Sequence, residues 1–348
     1  MSSSPNRMSH LDRFMATIAR EPVDRPAMWL GLPHPASWPG LQEHFQVKDS
    51  RGVNERLNDD VWAIEMPYDS PTANAIYIAL NFSDDPLSTD ERTLTKPGFF
   101  ANITDPDQLD TFDWPDPVKY IDPERCRQLV EEAPADKAVM GVIWSAHFQD
   151  ACSAFGMETA LVNMLVEPEM FQAVIDRITG FYLRANEVFY EATRGKLHAV
   201  LIGNDFGSQL GLMVAPDLLG EFVLPGTKLL VDQAKSYGLK VVHHSCGSIF
   251  DLIPGLIDVG VDVVHPIQAL AAKMEPWRLK EAYGDKVSFC GGVDTQELLV
   301  HGSPDDVRAK VAELTEIFPT GLIISPSHEA VLPDVPPANI EALFSVAQ

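Results

Sequence analysis

Residues 240–250 read KVVHHSCGSIF, and within them His244 and Cys246 stand two positions apart. At the end of an extended strand, residues two apart point to the same side, while His243 and Ser245 point to the other. That spacing lets one ion take both side chains. A zinc ion asks for three or four nitrogen, sulfur or oxygen donors in a tetrahedral array, and a catalytic zinc keeps one position open. A third donor must come from elsewhere in the chain. His328, in SPSHE, is the candidate, with Asp205 or Glu329 as a fourth. Beside this stands a blander reading, in which H-x-C is a polar strand end that packs without chemistry.

Such donors converge only if the elements around them form a common mouth. From Ala138 onward, short apolar runs alternate with longer segments of helical period, the pattern of strand-helix units in a parallel sheet. Strands are expected near 138–143, 198–203, 239–244, 261–265, 287–290 and 320–325, with earlier ones at 27–31 and 75–80. Helices are expected over 168–192, 216–237 and 304–317, each opened by a proline. Eight strands, with no glycine-rich phosphate turn after the first, predict a single (β/α)8 TIM barrel over 13–348, preceded by a disordered tail at 1–12. Residues 31–74 and 82–136, rich in Pro, Asp and Gly, are expected to be extended N-terminal loops with small helices.

A barrel puts its active site at the C-terminal ends of its strands. There the sequence places Asp205 and Gln209, His244 and Cys246, His265 and Gln268, Cys290 to Gln296, and His328 with Glu329. Asp205 reads either as a turn cap or as a general acid or base. Gln209, Gln268, Asp294 and Trp29 are the expected substrate-facing side chains. His265, next to Pro266, reads as a strand cap, and Cys290 as an inert buried thiol. The pair Gly291 and Gly292 marks a tight turn or a close approach to a ligand.

Composition narrows the partners. The chain has 26 Lys plus Arg against 50 Asp plus Glu, a formal charge of −24, which repels polyanions and argues against nucleic acid. No apolar run reaches the roughly 20 residues needed to span a bilayer, and the first ten residues carry no signal-like stretch. The simplest expectation is a cytoplasmic protein with a small-molecule substrate and room for a homodimer. Four scattered cysteines are expected to be reduced thiols, one of them a ligand.

Several stretches resemble the uroporphyrinogen decarboxylase superfamily: RFMATIAREPVDRPAMW at 13–29, NDFGSQLGLMVAPDLLGEFVLPG at 204–226, HHSCGSI at 243–249, CGGVDTQELLVHGSPDDVRAKV at 290–311 and SPSHEAVLPDVPPANIEAL at 325–343. The resemblance implies a (β/α)8 barrel, in agreement with the strand count. In the haem-pathway decarboxylase, an arginine-bearing segment after the first strand binds substrate carboxylates. Here LGLPHPASWPG holds no arginine. The other branch comprises zinc methyltransferases that move a methyl group between a corrinoid protein and a thiol, with H-x-C on the fifth strand and a cysteine on the last. His244 and Cys246 match the pair, but His328 stands where the last cysteine would be.

The resemblance therefore implies a zinc-dependent methyl or alkyl transferase, with zinc on His244, Cys246 and His328, Asp205 orienting or protonating the substrate, and a corrinoid on a separate partner protein. Two alternatives stand beside it. One is a metal-independent decarboxylase or lyase acting through Asp205 on a smaller carboxylate, and the other is a non-catalytic binding subunit.

Overall fold

A computed structural model describes residues 7–68 and 97–347. Its eight strands are β1 Ala27–Met28, β2 Val61–Glu65, β3 Ala138–Trp144, β4 Ala199–Gly203, β5 Lys240–His244, β6 Val263–Ile267, β7 Ser288–Val293 and β8 Leu322–Pro326. All their pairings are parallel, and neighbours run β1-β8-β7-β6-β5-β4-β3-β2. The seam between β1 and β2 is bridged largely by side chains. Asp60 donates its amide to the Met28 carbonyl at 3.0 Å, while its Oδ2 accepts the Met28 N–H at 2.8 Å. Asp59 Oδ2 accepts the Leu30 N–H at 2.9 Å. Two carboxylates thus satisfy backbone donors that a regular ladder would pair. The result is a nearly closed (β/α)8 barrel.

Inside the barrel, Ala27, Trp29, Val61, Met140, Leu201, Val242, Val263, Cys290 and Ile323 pack with Phe14 and Ile18, which rise from the helix His10–Ile18 beneath. That helix includes residues 10–12 of the expected tail. It is stapled in place by buried charge. Arg13 meets Asp24 at 2.7 Å and Asp60 at 2.6 Å, and Asp60 also receives Arg25 and His10 at 2.7 Å each. A second, larger apolar layer fills the space between the strands and the surrounding helices.

Six strands from β3 onward lie where the alternation predicts. The second does not: the run at 75–80 falls outside the described residues, and β2 is Val61–Glu65, inside the segment expected to be loop. Only Val61 and Ile64 of it are buried, so its five residues carry too little apolar pattern to announce a strand. The helix expected over 216–237 is two, Pro216–Phe222 and Leu224–Ser236. Pro225 has no N–H to give to the Glu221 carbonyl, and its ring crowds that group. Among the described residues, no helix is long and apolar enough to cross a membrane.

Candidate metal centre

β5 ends at His244, whose ring points into the barrel, while the His243 ring lies on the outer side, stacked 5.9 Å from Phe206. The alternation of the strand thus separates the two histidines. His244 is opposite Gly203 of β4 and His265 of β6. A Cβ on Gly203 would lie 2.3 Å from the His244 carbonyl oxygen, so only glycine lets β4 come this close. His244 Nε2 is 3.4 Å from Cys246 Sγ and 3.3 Å from Asp205 Oδ1. Asp205 is held from two sides: the Cys246 N–H donates to Oδ1 at 2.9 Å, and Gln149 Nε2 reaches Oδ2 at 3.4 Å.

Two overlapping donor sets result. The ligating atoms of Asp205, His244 and Cys246 lie within 4.8 Å of one another, as do those of Cys246, His328 and Glu329. Cys246 belongs to both. His328 therefore comes to Cys246, but not into one set with His244. Its Nδ1 accepts the Ala330 N–H at 3.0 Å. A neutral imidazole has one lone pair, so a ring that spends it on Ala330 carries its proton on Nε2 and is a donor there.

Charge is concentrated here. Burial would raise the Asp205 carboxyl, but hydrogen bonds from His244 and Cys246 hold it at about 2. Burial opposes a proton on His244, yet Glu329, Asp205 and Cys246 raise it well above the ordinary histidine value. Burial and the neighbouring His244 keep His265 neutral, well below that value. Cys246 raises His328, with Glu329 assisting, although a second proton would meet the Ala330 N–H head on and the neutral ring suits that contact. Glu329 Oε2 lies 3.5 Å from both His244 Nδ1 and His328 Nδ1, in ion-pair range of each, and is buried without a hydrogen-bond partner.

Residues 89–348 match the family described as uroporphyrinogen decarboxylase (URO-D). The chain belongs to the URO-D family. One curated relative, a methylated-thiol–coenzyme M methyltransferase of Methanosarcina mazei, is 24% identical over 169 residues. That alignment covers 49% of this URO-D chain and 42% of the relative, so the chain spans less than half the length of the relative it matches. A solved methyltransferase from Methanosarcina mazei superposes over 98% of both chains with a TM-score of 0.70 at 16% identity, a likeness of fold.

The other strand-end residues of this URO-D barrel divide by what they touch. Gln268 Oε1 accepts the Gly247 N–H at 2.6 Å and so pins the loop that carries Cys246. Gln209 lines a small cleft with Gln268, Leu270 and Thr295. Asp294 accepts the amides of Gln296, Glu297 and Leu298 at 3.3, 2.6 and 2.9 Å, capping the turn after β7. Trp29 is buried below the site, 5.3 Å from the His265 ring. Gly291, with φ +119°, serves close approach of backbone: a Cβ there would stand 2.6 Å from Ile267 N.

Two contributors, Gln149 and Trp144, were not legible as site residues, and a third, His265, was placed at the barrel mouth but read as a strand cap. Gln149, on the helix His147–Phe155, brackets Asp205 by also accepting its N–H at 3.2 Å. Trp144, at the end of β3, meets the His244 ring edge-on at 5.2 Å with φ +52°, a left-handed conformation rare for a bulky residue. His265 faces His244 rather than capping a strand. Trp144 also ends a barrel strand, and that position is the signal that could have marked it.

Proposed function

We propose that this URO-D barrel is a zinc-dependent methyl or alkyl transferase acting between a corrinoid protein and a small thiol or comparable acceptor. The observation that carries the reading is the inward pairing of His244 Nε2 with Cys246 Sγ, with Asp205 in reach of both. This nitrogen, sulfur and oxygen set suits zinc, and the buried Glu329 Oε2 beside His244 and His328, which lacks a hydrogen-bond partner, suits a nearby cation or an acidic proton. His244, Cys246 and Asp205 would hold the ion, and His328, its Nδ1 already engaged, would serve as a donor beside it. Bound there, zinc would supply Lewis acidity that favours the thiolate of a substrate thiol at neutral pH.

The chain's own groups supply the rest. Gln149 and the Cys246 amide fix the Asp205 carboxylate. His328 presents an N–H toward Cys246. Trp144 keeps water from one edge of His244. Methyl transfer is drawn from the resemblance and from the names of the relatives, and the corrinoid partner from the resemblance alone.

Metal analysis of protein purified without added zinc tests the reading, with His244→Ala and Cys246→Ser alongside. About one zinc per chain, lost in both variants, is expected. Substoichiometric metal in the unaltered protein overturns it. Demethylation of methylcobalamin in the presence of a small thiol tests the transfer itself.

A further inference from the structure

We infer that His265 is a positioning residue that fixes which nitrogen of His244 faces Cys246 and Asp205. The parallel register sets the two histidines side by side, and their Nδ1 atoms lie 3.1 Å apart. At that distance one Nδ1 carries the proton and the other accepts it. His244 Nε2 is the atom turned to Cys246 Sγ and Asp205 Oδ1. If Nε2 is to offer a lone pair to a cation, the His244 proton sits on Nδ1, and His265 Nδ1 is the acceptor in hydrogen-bond range. Glu329 Oε2, at 3.5 Å, makes no hydrogen bond to it.

The arrangement carries a cost that packing alone does not explain. His265 is fully buried, and its Nε2 has no partner. An orphaned polar atom in a barrel interior is destabilising, a cost that a leucine or phenylalanine there would avoid. Retaining a histidine makes sense when its other nitrogen orients a ligand, as outer partners of metal-bound histidines do. The consequence for metal binding rests on the zinc reading, whereas the proton position is readable without metal.

Histidine-labelled protein, free of metal, is examined by nitrogen-15 NMR, with the His244 signals identified by their loss in His244→Gln. A proton on His244 Nδ1, with scalar coupling across the bond to His265 Nδ1, is expected. Its absence overturns the inference. Zinc affinity is then measured by chelator competition in His265→Leu and His265→Asn, the latter placing an oxygen acceptor near the lost Nδ1. The Leu variant is expected to bind about 10- to 100-fold more weakly, with Asn recovering most of the loss. Equal losses in both variants would mean packing rather than orientation, and unchanged affinity in Leu would also overturn the inference. If the unaltered protein shows the coupling but binds no zinc, the zinc reading falls and the positioning of His244 stands.

Discussion

The Cys246 amide donates to Asp205 Oδ1 at 2.9 Å, joining the ends of β4 and β5 and aiming both donors at His244. An asparagine at 205 can keep that bond through its oxygen but brings no charge. Asp205→Asn is therefore expected to fold normally, to bind zinc about 10- to 100-fold more weakly and to lose methyl transfer in proportion. Chelator competition and circular dichroism check both halves, and undiminished affinity would remove Asp205 from the ligand set.

Thiol chemistry should single out one residue. Cys126, Cys152 and Cys290 are buried, while Cys246 is partly exposed. Burial pushes Cys126 up to about 11, and holds Cys152 and Cys290 higher still. Metal-free native protein is expected to react rapidly with a disulfide reagent at Cys246 alone, and at all four cysteines once unfolded. Cys246→Ser should abolish the rapid phase. Zinc should protect it.

Acid should loosen the staple beneath the barrel. Hydrogen bonding to Arg13 outweighs burial and lowers Asp24 from 3.8 to about 2, and Asp60 is also lowered, since His10, Arg25 and Arg13 overcome its burial. A carboxyl whose folded value lies below its unfolded one stabilises fully above the unfolded value. That stability drains as pH falls from 3.8 toward about 2. Asp24→Asn is expected to cost about 2 kcal/mol at neutral pH and to flatten this acid limb, because Arg13 then lacks one partner. Urea unfolding across that pH range checks it.

Gly203 should tolerate no side chain. The added methyl of Gly203→Ala would overlap backbone, at 2.3 Å from the His244 oxygen, and backbone cannot swing aside as a flexible side chain does. A loss of about 3 kcal/mol or more is expected, exceeding ordinary overpacking, with zinc binding impaired in the fraction that folds. Gly211→Ala, where nothing lies within 4 Å, is the control and should be near neutral.

Much of this fold shows in residue order because buried parallel strands are nearly continuous apolar runs. Val241, Val263 and Ile323 could be placed before any coordinates. β2 could not, since its edge role is carried by Asp59 and Asp60, whose carboxylates receive backbone amides across the seam. The same contrast holds at the site. His244 and Cys246 follow from period two within one strand. Gln149 and His265 depend on register between strands and on how a helix returns over the barrel mouth, and neither is written in local spacing. His328 was legible as a neighbour of Cys246. Its hydrogen bond from Ala330, which decides what its other nitrogen can do, needed the backbone path after β8.

The pairing of β1 with β8, Ala27 against Ile323 and Met28 against Ile324, ties the beginning of the barrel to its last strand. During synthesis His244 and Cys246 emerge well before that strand exists, and His328 and Glu329 emerge just after it. A nascent chain can thus present Asp205, His244 and Cys246 without Glu329 and the second ring. Contacts so distant along the chain form late in folding. The donor set of Asp205, His244 and Cys246 thus precedes the last strand in the chain, whereas the set that joins Cys246 to His328 and Glu329 requires β8 to be in place.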